Sequence, residues 1–68
     1  MLPMYLIRML LERRHMQRLD RPVLAKRIGC HPETLRHWEA RERSPQLNDF
    51  VAWANELGYD VELVRRAR

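Results

Sequence analysis

The 68-residue chain contains one cysteine, two glycines and a single phenylalanine, and each scarcity excludes something. A lone Cys30 cannot close an internal disulfide, so the fold must be held by packing. An unpaired thiol is also the usage of a reducing cytoplasm rather than of a secreted mini-protein. One cysteine completes no structural zinc set, and His15, His31 and His37 lack the i, i+4 spacing of helical zinc ligands; neither a metal nor another cofactor is expected. No glycine-rich phosphate loop, no paired carboxylates and no Ser/His/Asp arrangement is visible, which argues against an enzyme. Crossing a bilayer takes roughly 18 apolar residues in succession. The most apolar stretch, Met1 to Leu11, is interrupted by Arg8, has no basic leader before it and no small-residue cleavage site after it. The expectation is a soluble, cytoplasmic protein without a membrane partner.

What the chain does have is a globular mixture of 46% hydrophobic and 32% charged residues. Its length suits one domain, residues 1–68, with no room for a cleft between domains or for a ligand-sensing module. At this size folding removes only roughly 60% of the unfolded chain's surface from water, so stability is marginal and a second copy would help. Thirteen Lys and Arg against nine Asp and Glu give a net charge of +4. The excess is segregated: ten basic residues face five acidic ones between Arg8 and Arg43, whereas Ser44 to Arg68 has three against four. A localised positive field suits a polyanion, either nucleic acid or an acidic membrane surface, and equally suits a merely solvated arginine-rich face. Spacing has to choose between these readings.

Pro3 suits a first helical turn, and Leu6, Ile7, Met9, Leu10 and Leu11 predict a helix over about Met4 to His15. Its apolar positions cover more than one face, so a second buried contact, with either the chain's own C-terminus or another subunit, is expected at Ile7 and Leu11. Asp20 is a good N-cap type, Pro22 is tolerated just behind it, and Leu24, Ala25 and Ile28 form one edge of a short helix, Arg21 to Ile28, which Gly29 ends. Pro32 then opens another helix, with Glu33 complementing its positive end and Leu35 and Trp38 three apart on one face. Leu47, Phe50, Val51, Ala54 and Leu57 make the clearest helical stripe, with Trp53 at its margin and Gly58 as its stop. Beyond it, Tyr59, Val61 and Leu63 alternate with Asp60, Glu62 and Val64, which predicts a strand over about 59–65. One strand needs a partner edge, from the N-terminus or from a second chain. The amphipathic membrane-surface alternative fails because Gly29, Pro32, Pro45 and Gly58 cut the chain into short pieces.

Two short helices joined by a tight glycine turn form a supersecondary unit of known use. The run Leu19 to Glu39, followed by Arg43-Ser44-Pro45, resembles the helix-turn-helix of the Cro and xenobiotic-response-element (XRE) family of bacterial and phage repressors. The resemblance covers roughly Leu10 to Leu63 and rests on Leu24-Ala25, Gly29, Leu35, Trp38, Glu39, Pro45 and Leu57-Gly58. It implies a mainly α, four-helix, lambda-repressor-like domain with its helix-turn-helix unit over about 20–40. Here the last family helix is replaced by the C-terminal strand, as in members that dimerise through such strands, with Tyr59, Val61 and Leu63 at the interface. Arg41 stands where the family usually has glycine, His31 replaces a Ser or Thr cap, and Arg21 stands where a phosphate-facing Gln is common.

The resemblance further implies that the helix from Pro32 to Ala40 enters a major groove. Its base-contact candidates are Pro32, Glu33, Arg36 and His37: Arg36 for guanine O6 and N7, Glu33 for a cytosine amino group, His37 for an acceptor, Pro32 for a thymine methyl. Arg21, Arg41 and Arg43, then Thr34 and Arg18, are the phosphate candidates; Arg8, Lys26 and Arg27 read as solubilising charge. Ala25, Gly29, Leu35 and Trp38 read as structural. So does Glu39, whose family counterpart pairs with an arginine of the first helix, here Arg14 or Arg13. Cys30 reads as a small buried hydrophobe. The functional expectation is a sequence-specific double-stranded DNA-binding regulator, a small dimeric autorepressor on an inverted repeat in a phage or mobile element. The alternative is a protein-interaction module, such as an antitoxin subunit or a phage factor that binds a partner protein.

Overall fold

Punctuation in the sequence translates directly into helix ends. In a computed structural model describing residues 2–67, the described residues form four helices: α1 (Met4–Met16), α2 (Arg21–Ile28), α3 (Pro32–Glu39) and α4 (Leu47–Glu56). Proline lies in the first turn of α2 and of α3, where its missing N–H costs nothing. Each helix is followed by a residue in the left-handed region, and the next N–H reaches back five residues. The left-handed positions are Arg18 (φ 52°), Gly29 (φ 92°), Arg41 (φ 62°) and Gly58 (φ 88°). The closing bonds run from Leu19 to the Arg14 carbonyl, Cys30 to Ala25, Glu42 to His37 and Tyr59 to Ala54, at 2.9 to 3.1 Å. Glycine takes that conformation freely, whereas the two arginines take it at a steric cost.

The helix starts differ from expectation in two places. Asp20 has the extended backbone of a cap residue, yet its side chain makes no capping bond. His31, read as a weak substitute for Ser or Thr, does cap α3: its Nδ1 accepts from the Glu33 N–H at 3.1 Å. An imidazole nitrogen is as good an acceptor there as a hydroxyl.

All four helices contribute to one core: Ile7 and Leu10 from α1, Leu24 and Ala25 from α2, Leu35 and Trp38 from α3, Phe50, Trp53 and Ala54 from α4, with Leu57 just beyond it. Ile7 thus finds its second contact inside the chain. Trp53 is fully buried at the centre, tilted against Trp38 with ring centroids 5.6 Å apart and edge-on to Phe50 at 6.3 Å. Leu47, read as the first member of the α4 stripe, is instead 73% exposed, because it occupies the first helical turn, beyond the reach of the core.

The expected strand is absent. Residues 59–67 carry no regular structure, Val61 is 43% exposed and Leu63 is fully exposed. The alternating pattern is real, but among the described residues neither the N-terminal segment, which is helical from Met4, nor any other segment offers the edge a strand needs. Only Tyr59 packs, partly buried against the core with the Arg13 guanidinium 5.0 Å above its ring.

One buried polar cluster crosses this core. Glu39 of α3 accepts from Arg14 of α1, Nε at 2.6 Å and Nη2 at 3.2 Å, and from Arg21 Nε of α2 at 2.9 Å. Arg14 Nη1 also donates to the Leu19 carbonyl at 3.0 Å, tying the α1–α2 corner to the same group. The Glu39 side chain is only 4% exposed. Its removal leaves a buried arginine without a counter-charge, a defect that costs about 3–5 kcal/mol. Glu39→Ala is therefore expected to lower the unfolding free energy by several kcal/mol, and an unchanged urea midpoint would refute this role for the cluster.

Candidate nucleic-acid interface

The turn at Gly29 sets α2 and α3 at an angle, and the side chains of α3 divide accordingly. Leu35, Trp38 and Glu39 point inward and are buried. Glu33, Arg36 and His37 lie on the other side, with side chains 55%, 39% and 25% exposed. Pro32 and Thr34, at the start of the helix, are half-buried. Of the residues singled out for base contact, three therefore share one outward face, and Pro32 borders it.

These side chains engage one another. Arg36 Nε donates to both Glu33 oxygens at 2.9 Å, and its Nη2 lies 2.7 Å from Oε2. The hydrogen bond from Arg36, aided by the guanidinium charge and by His37 and His31, holds the Glu33 carboxyl below the ordinary glutamate range. The same bond pushes Arg36 further up. His37 Nδ1 lies 2.6 Å from Glu42 Oε1, and Glu42 is also 3.9 Å from Arg36 Nη2. Glu42 is absent from the residues that spacing singles out, because it lies past the end of α3. The left-handed turn at Arg41 folds it back, anchored by its N–H on the His37 carbonyl at 2.9 Å. An acid one residue beyond a helix-ending Arg41 is the sequence signal that was available.

The cations read as phosphate contacts are dispersed along the chain. Arg41 and Arg43 are exposed in the turn that leaves α3, and Arg18 is exposed between α1 and α2. Arg21 is not a free surface cation: its Nε is committed to Glu39, although 36% of its side chain remains open to solvent. Cys30 is partly buried against the core, and burial, with the charge of Asp49 adding to it, pushes its thiol up. That is the environment of an inert thiol rather than a nucleophile. Among the described residues no cluster of His, Cys, Asp and Glu could hold a metal ion, and no helix is long and apolar enough to cross a membrane.

The Glu33–Arg36 pair has a measurable pH signature. A carboxyl depressed in the folded state contributes stability that is present above its unfolded pKa and lost as pH falls through the folded one. Followed by carboxyl NMR shifts, Glu33 should titrate below an ordinary glutamate, and Arg36→Ala should move its midpoint upward. Coincident midpoints in the two proteins would show the pair to be unformed in solution.

Comparison with known proteins agrees with this arrangement. A family model described as helix-turn-helix matches residues 7–64, from within α1 to beyond α4. No curated protein and no solved structure matches the chain. The matched region contains the α2–turn–α3 unit whole, together with the helices that bury its inner side. On that extent of agreement, the chain belongs to the XRE-type helix-turn-helix family of DNA-binding regulators.

Proposed function

We propose that the chain folds as a single domain over residues 1–68 and acts, without catalysing a reaction, as a cytoplasmic, sequence-specific repressor of its own promoter. In this reading α3 lies in the major groove with Arg36 on a guanine and Glu33 on a cytosine amino group, while Arg18, Arg21, Thr34, Arg41 and Arg43 hold flanking phosphates. The observation that carries it is the placement of Glu33, Arg36 and His37 on one exposed face of α3, opposite the buried Leu35, Trp38 and Glu39. Glu33 is exposed, Arg36 and His37 are half-buried, and none of the three belongs to the core.

The same reading includes a two-fold dimer on an inverted repeat, with half-sites about one helical turn, roughly 34 Å, apart. The segment after Gly58 is suited to supply the contact through Tyr59, Val61 and Leu63. Leu63 and Val64 are 103% and 84% exposed, an apolar pair with no cover in one chain. Two antiparallel copies with Leu63 opposite Leu63 set Asp60 against Arg66 twice, so the charges are self-complementary across a two-fold axis. The second chain then provides the edge the strand pattern requires. The exposure of these residues also favours a second reading, a protein-interaction module such as an antitoxin subunit or phage factor, in which another protein takes that place.

A mobility-shift titration against the DNA upstream of its own gene separates the two. Repression predicts a salt-sensitive complex of two chains per inverted repeat, and Arg36→Ala weakens it by about 5- to 150-fold, the value of one bidentate guanine contact. Equal affinity for any duplex leaves the interaction module. Arg41 makes a separate test, since it combines a strained backbone with a phosphate role. Arg41→Gly should raise the thermal midpoint, by about 4–8 °C if about 1 kcal/mol of strain is relieved. It should also reduce the salt slope of DNA binding by about 2 for a complex of two chains, one phosphate contact being lost from each; a lower midpoint or an unaltered slope would contradict that dual assignment.

A further inference from the structure

The imidazole of His37 is asymmetrically held. Its Nδ1 is 2.6 Å from Glu42 Oε1, a carboxylate oxygen that can only accept, so the shared proton belongs to Nδ1. Its Nε2 lies 3.9 Å from Glu33 Oε2, outside hydrogen-bond reach, and has no other partner among the described residues. In the neutral ring the second nitrogen is then a lone-pair acceptor. Glu33 itself is engaged by Arg36, which keeps that carboxylate turned along the helix rather than onto the ring.

We infer that Glu42 is a positioning residue for sequence readout: by accepting from His37 Nδ1 it presents Nε2 to the groove as an acceptor, so that His37 selects a base carrying an exocyclic amino group. Adenine N6 and cytosine N4 are the major-groove donors that fit, whereas guanine and thymine offer acceptors at the corresponding edge. This reverses the donor role that residue type alone suggests for His37. It also gives the turn after α3 a part in specificity, since Arg41 in its left-handed conformation is what returns Glu42 to the ring. The inference rests on the DNA-binding reading above.

Two measurements test it, one without DNA. Nitrogen-15 NMR of the free full-length chain, at a pH where the ring is neutral, should show His37 protonated on Nδ1. Glu42→Gln, which keeps an accepting oxygen, should preserve that tautomer, and Glu42→Ala should release it to the Nε2–H form that an unconstrained histidine side chain favours. With Glu42 exposed at the surface, both variants should unfold at the wild-type temperature. For readout, the bound duplex is varied one base pair at a time, and His37→Ala marks the pair that His37 reads. Wild type and Glu42→Gln should prefer adenine or cytosine there by about fivefold or more, a preference Glu42→Ala loses. A wild-type ring protonated on Nε2, or a Glu42→Ala protein that keeps the preference, overturns the inference alone. A wild-type chain that discriminates among no duplexes overturns it together with the DNA-binding reading.

Discussion

The Glu39 carboxylate is the point where three helices meet, and the orientation of α3 depends on what surrounds it. Arg14 reaches it from α1 and Arg21 from α2, and Arg14 also holds the Leu19 carbonyl where the chain turns between those helices. Apolar packing brings α3 to the core but is tolerant of small rotations. Charge-assisted hydrogen bonds at 2.6 and 2.9 Å are not, because each has a narrow range of good geometry. A buried ion cluster need not raise stability relative to a well-packed apolar one. Its contribution here is directional: Glu39, with Leu35 and Trp38, holds one side of α3 inward, which leaves Glu33, Arg36 and His37 on the other side.

The outer face carries ion pairs of the opposite kind. Glu33 with Arg36 and His37 with Glu42 are largely solvated, and exposed pairs contribute no more than about 1 kcal/mol. They set side-chain directions in the free protein and can be exchanged for base-edge contacts at little cost. One helix thus keeps a strongly held carboxylate, Glu39, on its inner side and a loosely held one, Glu33, on its outer side. The difference comes from burial, since the residue types are the same.

Most of the helical frame was legible because its boundaries are chemical. Pro22, Gly29, Pro32, Pro45 and Gly58 bound segments whose ends fall within a residue or two of expectation. Local rules miss what depends on three dimensions. Arg21 looks like a solvated cation until Glu39 is placed beside it, and His31 looks like a poor cap until its ring nitrogen meets the Glu33 N–H. Glu42 is invisible as a site residue because a left-handed Arg41, unusual for any non-glycine residue, is what brings it back to His37. Period-two alternation from Tyr59 onward describes a segment able to pair. Pairing itself is a property of two edges, and one chain has only one.

Both tryptophans belong to the interior, tilted against each other and shut away from water, with Phe50 against one of them. The outward side of α3 has no indole. Intrinsic fluorescence of this protein is consequently a gauge of whether the core is intact and is nearly blind to what occupies that outward side. A change in emission on adding a ligand would signal that the helices themselves have moved.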